Sequence, residues 1–150
     1  MKKVVFYMAL SLSYQLFATQ NITLKDVTVT AQKSEEELRK VPISVTAFDE
    51  SDIEDKQISN LDDIAKFTPN LLLYNTGQQG LTWPSVRGIS ANISPLSTPV
   101  ALYVDGIAYM NSFGYGDELE DIERIEILRG PQGSLYGANS QSGVINVISK

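Results

Sequence analysis

The chain contains neither cysteine nor histidine. Without cysteine there can be no disulfide, thiolate nucleophile or cysteine-ligated metal. Without histidine the commonest general base and transition-metal ligand is missing, so any enzyme chemistry would rest on carboxylates. Positive charge is also scarce, with 12 Lys and Arg against 18 Asp and Glu and a net charge of −6. Phosphate neutralisation needs clustered basic residues, which argues against nucleic acid as a partner. No apolar run reaches the roughly 20 residues of a membrane-spanning helix. What is present is 150 residues of mixed composition, enough for one domain with a modest core.

The first residues stand apart. Lys2 and Lys3 precede the apolar run "VVFYMALSL", and "SYQLFATQ" then offers Ala18 as a small residue at a cleavage point. This pattern predicts a secretory signal peptide over residues 1–18. A single membrane anchor is the competing reading, but the apolar part is about half the length that spanning requires. Removing Lys2 and Lys3 leaves ten basic against eighteen acidic side chains, a net charge of −8.

Residues 19–40 combine the short β-branched run "DVTVTA" with a charged stretch, so the run reads either as an edge strand or as a peptide available to a partner's sheet. Further on, Ile43, Val45 and Ala47 alternate with Ser44, Thr46 and Phe48, the period of a half-buried strand. Ser51 with Glu54 predicts a capping box for a short helix, and Ser59 with Asp62 a weaker one. Leu61, Ile64 and Ala65 then share a helical face that ends at Thr68 and Pro69. Seven of the fifteen residues from Asp49 to Asp63 are acidic, but no glycine-centred calcium loop accompanies them, so they read as a solvated helix face.

"LLLYN" and "PVALYVDG" predict buried strands, the second closing on an Asp105–Gly106 turn. Between them, residues 76–98 are rich in Gly, Ser, Thr, Asn and Pro, which predicts a long structured loop. Trp83, Tyr109, Phe113 and Tyr115 place rings in or beside loops, either packing beneath them or recognising a bulky, polar ligand. In "RIEIL", Ile125, Ile127 and Arg129 face one way, while Arg124, Glu126 and Leu128 face the other. Arg129 thus ends an apolar row with no carboxylate in it. "GPQGSLYG" lacks the phosphate-loop pattern, so Gly130, Gly133 and Gly137 read as turn-permitting. The sequons at Asn21 and Asn92 are taken as chance matches.

From Asp26 to Lys150 the chain resembles the plug domain of TonB-dependent outer-membrane receptors, here of the ferric-siderophore type. The resemblance is carried in order by "DVTVTA", "VPISVTAF", "LDDIAKFTPNL", "SVRGIS", "VALYVDGI" and "IERIEILRGPQGSLYG...SGVINVISK". It implies an α+β plug over 41–150, with a small mixed β-sheet, short helices and long apical loops. Such a plug normally sits inside a barrel of twenty-two strands. It implies a non-enzymatic gate without metal or cofactor, and a TonB box at Asp26, Val27, Thr28, Val29, Thr30 and Ala31. TonB, energised by ExbB and ExbD, would pair with the box by strand addition. Arg87, Glu126 and Arg129 would lock the plug to carboxylates of the barrel, and Gln78, Gln79, Trp83, Tyr109, Phe113 and Tyr115 would contact ligand.

The expected ligand is a ferric siderophore or similar iron complex, with cobalamin, haem and glycans open. Twenty-two transmembrane strands of about 9 to 11 residues need more than roughly 200 residues. If the 150 residues were a complete product, transport by this chain alone could not occur, and a free periplasmic plug binding TonB or ligand would be the rival reading. The expected location is the outer membrane, or the periplasm for a plug without a barrel.

Overall fold

The computed structural model describes residues 28–30, 36–37, 42–77, 81–90, 97–109, 114–115 and 119–150. The expected leader, residues 1–18, lies outside them. Two short strands, β1 (Thr28–Val29) and β2 (Glu36–Glu37), pair antiparallel. A five-stranded sheet runs in the order β3 (Ser44–Asp49), β9 (Ile122–Arg129), β10 (Gly143–Ser149), β7 (Val100–Val104), β8 (Ile107–Tyr109). Its β10–β7 pair is parallel and the others antiparallel, so the sheet is mixed. A three-stranded antiparallel sheet has the order β4 (Leu71–Asn75), β5 (Thr82–Val86), β6 (Ile89–Ser90). Helices α1 (Glu50–Asp55), α2 (Leu61–Phe67) and α3 (Gly133–Tyr136) complete the α+β architecture, and no closed barrel occurs among the described residues.

The central strands explain their own composition. β10 lies between β9 and β7 with both faces covered, which is why "GVINVI" is nearly continuously apolar. One face packs Phe48, Leu102, Ile125, Ile127 and Ile145 against Leu61 and Ile64 of α2. The other gathers Val29, Ala101, Leu128, Tyr136 and Val144. At the head of β10, a Cβ on Gly143 would lie 2.6 Å from the Leu128 carbonyl oxygen, so only glycine permits this approach of the two strands.

Two hairpins share one turn chemistry. "VRGI" closes β5 on β6 and "VDGI" closes β7 on β8, each through two residues of positive φ: Arg87 and Gly88, Asp105 and Gly106. Positive φ at both central residues is the mark of a type I′ turn, whose twist matches that of the flanking strands. Asp105 also accepts from Ser149 N at 2.8 Å and Ser149 Oγ at 2.7 Å, tying the end of β10 to this turn.

Several expectations change. Strands β5 and β6 form within the stretch read as a loop. Pro84 is tolerated in β5 because β6 reaches only Ser85 and Val86, leaving β5 as an edge beside Pro84. Strand β4 is buried on one side only, with Leu72 and Tyr74 52% and 50% exposed. The cap of α1 is Asp49 rather than Ser51. Extended backbone at Asp49 places its carboxylate to accept from Asp52 N at 3.0 Å, while the Ser51 hydroxyl donates back to it at 2.6 Å. Gly130 and Gly137 have positive φ as expected of turn residues, whereas Gly133 opens the single helical turn α3.

Asn60 caps α2 by accepting from Asp63 N at 2.9 Å, and Asp63 accepts from Ser59 N at 3.1 Å and Lys66 Nζ at 2.7 Å. The Lys66 hydrogen bond first, and the Ser59 N–H second, hold the Asp63 carboxyl down to about 2 from 3.8. A folded pKa below the unfolded one stabilises fully above 3.8, and this contribution disappears as pH falls toward about 2. The melting-temperature gap between the wild type and Asp63→Asn should therefore narrow between pH 4 and pH 2. A gap of the same size at pH 2 and pH 6 would contradict this role.

Candidate functional site

Alternation along β9 places Arg124, Glu126 and Leu128 on the face that carries the smaller apolar cluster. Glu126 has no exposed surface. A carboxylate in that position must be fully hydrogen-bonded, since its desolvation is otherwise uncompensated. Its Oε1 accepts from the Thr30 backbone N–H at 2.7 Å and from Arg124 Nε at 2.9 Å. Its Oε2 accepts from Asn146 Nδ2 at 3.3 Å, across the β9–β10 register in which Asn146 faces Glu126. The Thr30 hydroxyl sits 3.2 Å from both oxygens and 3.4 Å from Asn146 Nδ2, so it can donate to the carboxylate while accepting from the amide.

The residue before Thr30 completes the attachment. Val29 is fully buried among Leu128, Tyr136, Val144 and Ala101, while Thr28 on the opposite side of the strand is exposed. The Tyr136 ring meets Tyr103 edge-on at 5.0 Å, and the Tyr103 hydroxyl donates to the Tyr136 carbonyl at 2.6 Å. Burial, then the charge of Glu126, push the Tyr136 phenol up to about 12. Beside Thr30 a cavity of about 410 Å³ is lined by Tyr103, Tyr136, Asn146 and Ile148. Thr28–Thr30 are therefore docked on the sheet by the Val29 side chain and by the backbone N–H and hydroxyl of Thr30. Of the expected box residues, Thr28, Val29 and Thr30 belong to this arrangement; Asp26, Val27 and Ala31 lie outside the described residues.

The three residues expected to lock a surrounding wall do not stand together. Arg129 projects from the opposite face of β9, donating to the Pro69 carbonyl at 3.2 Å and Thr46 Oγ1 at 3.0 Å, with its buried Nε unpartnered among the described residues. Arg87, exposed at its turn, extends Nη1 to within 3.6 Å of where a Cβ on Gly130 would lie. Neither guanidinium has a carboxylate partner among the described residues. Glu126 lies apart from the two arginines, buried with Thr30, Arg124 and Asn146 and turned to the chain's own N-terminal segment.

Of the expected ligand contacts, Gln78, Gln79 and Phe113 lie outside the described residues. Trp83 is half-buried in β5 opposite Tyr74, its indole N–H buried without an acceptor among the described residues. Tyr109 is exposed at the end of β8, its ring lying so close on Gly114 that a Cβ there would fall 2.1 Å away. Tyr115 is a core residue instead of a ligand contact, 1% exposed, with its hydroxyl donating to the Val100 carbonyl at 2.5 Å. Burial pushes its phenol well above the usual range. Arg124 and Asn146 were missed in the sequence. Their signal was the shared row of Arg124 with Glu126; the element covering that row, 96 residues away at Thr30, left none.

The family described as TonB-dependent Receptor Plug Domain matches residues 37–144. The chain is 34% identical over 140 residues to the vitamin B12 transporter BtuB of Vibrio vulnificus, covering 89% of this chain and 22% of that protein. It is 31% identical over 151 aligned positions to the iron-regulated outer membrane virulence protein of Vibrio cholerae, covering 95% of this chain and 23% of that one. Its structure is similar to that of the ferric yersiniabactin uptake receptor FyuA of Yersinia pestis, with TM-score 0.67 and 32% identity, over 72% of this chain and 17% of that receptor. The chain thus spans less than a quarter of the length of each.

Two substitutions separate the contributions at Glu126. Thr30→Val keeps the backbone donor and removes the hydroxyl, which should cost about 0.5 to 1.5 kcal/mol in denaturant unfolding. Glu126→Ala strands Arg124, Asn146 and the Thr30 N–H together, and should cost about 3 to 5 kcal/mol. Equal costs would show that the carboxylate does not organise the cluster.

Proposed function

The chain belongs to the TonB-dependent receptor plug domain family, and on that premise we propose that it is the gate and ligand-recognition part of an outer-membrane receptor for energy-coupled uptake. The cargo we assign is a ferric siderophore or a similar iron complex. The observation that carries the reading is the seating of Val29 and Thr30 on β9 and β10, a contact small enough for the N-terminal segment to be released as well as docked. A released β-branched segment of "DVTVTA" is suited to strand addition by TonB, with ExbB and ExbD as its motor. Force applied there would reach the two central strands directly, through Glu126 and Asn146.

The wall contact is assigned to Arg87 and Arg129. Two guanidiniums without a carboxylate among the described residues call for acidic partners, and an enclosing barrel of the same receptor is the surface that would supply them. Apolar side chains exposed on β4 and β8, among them Leu72, Tyr74 and Ile107, suit the same enclosure. For ligand contact we retain Gln78, Gln79, Trp83, Tyr109 and Phe113. The unpaired indole N–H of Trp83 favours a ligand with exposed acceptors. Likeness to an iron-regulated protein and to a ferric yersiniabactin uptake receptor supports an iron complex, while likeness to a vitamin B12 transporter keeps cobalamin as the alternative.

Labelled ferric siderophores and labelled cobalamin, offered to cells making the full receptor, decide the cargo. Uptake of the iron complex is expected, and uptake of cobalamin alone would overturn that choice. Val27→Pro or Val29→Pro removes a backbone donor that strand addition needs. Either should abolish energised uptake while leaving ligand binding at the cell surface intact; uptake at the wild-type rate would remove the segment from the TonB contact.

A further inference from the structure

One edge of the docked segment is already paired. Thr28 and Val29 of β1 face Glu37 and Glu36 of β2 in antiparallel register, in a sheet separate from the other two. The next donor along, Thr30 N–H, is taken by Glu126 Oε1 at 2.7 Å. Strand addition requires a free edge with unsatisfied donors and acceptors. Here one edge of β1 is paired with the chain's own linker, and the nearest remaining donor is capped by a side chain.

We propose that β2 is a self-complementing strand. The acidic stretch at Glu36–Glu37 occupies one edge of β1, so a partner that adds to this edge binds only by displacing it. This rests on the assignment of the segment around Val29 as the partner contact. A ladder of two residue pairs is suited to the task, because a strand pair this short has little stability of its own and can be exchanged for a longer one. Glu126 and the buried Val29 act separately from β2. They hold the segment against the sheet, whereas β2 covers its edge. Undocking alone would therefore leave the edge paired, and full exposure needs both contacts to give way.

The test uses the full receptor in detergent, titrated with the purified periplasmic domain of TonB. Glu36→Pro takes a backbone donor from β2 and leaves the box sequence intact. It should tighten binding about three- to tenfold, the effect of losing one backbone hydrogen bond from the competing pair. Val29→Pro is the control and should abolish binding. Amide exchange of the wild type without partner gives a second reading, with protection expected at residues 28–30 that Glu36→Pro reduces while protection in β9 and β10 is unchanged. If Val29→Pro abolishes binding but Glu36→Pro leaves affinity and exchange unaltered, self-complementation is wrong and the functional reading stands. If Val29→Pro leaves binding intact, the assignment of the box is wrong and the inference falls with it. Unprotected amides at 28–30 in the wild type would also overturn it.

Discussion

A carboxylate without solvent, placed midway along the central strand pair, sets the terms for everything packed around it. Burying the Glu126 carboxylate is costly unless each oxygen is supplied with donors. Arg124 brings a compensating charge from two residues away, and Asn146 an amide from the neighbouring strand. The remaining donors come from Thr30, at the other end of the chain. Covering the carboxylate and docking the N-terminal segment are thus one event. Releasing Thr30 would expose Glu126 to water, and water would then replace the lost donors, so release need not leave a buried charge stranded.

The opposite face of β9 follows a different logic. Arg129 ends its apolar row with two neutral acceptors and an unpartnered Nε, and Arg87 sits at positive φ in a turn where Asn, Asp or Gly is the usual choice. Asp105 occupies the equivalent place in "VDGI" and uses its carboxylate to hold Ser149. The two hairpins have the same backbone form but opposite charges at the turn, one bound within the chain and one left exposed. The acidic turn fastens the end of β10 to the sheet, while the basic turn has no carboxylate partner among the described residues.

Much of the architecture was legible because short-range patterns carry it. Alternation in "RIEIL" assigned the two faces of β9, the dipeptide Asp105–Gly106 marked a hairpin, and Leu61, Ile64 and Ala65 marked the inner face of α2. Errors arose where a neighbour decided the outcome. Tyr115 resembled a loop aromatic until the Val100 carbonyl and the core claimed it. Residues 82–86 have the composition of a loop, yet pairing with β4 makes them a strand. Asp49 displaced Ser51 as a cap because the end of β3 fixed its backbone.

The sequence by itself determined the chemistry excluded, the order of the motifs and the face on which each residue of β9 would lie, since these depend on residue type and on periods of two and 3.6. Only the tertiary structure decided what Glu126 is for. Its facing direction is a local property of the strand, but its partner Thr30 is brought to it by the closure of a long chain segment, and no periodicity records which segment will cover a given face.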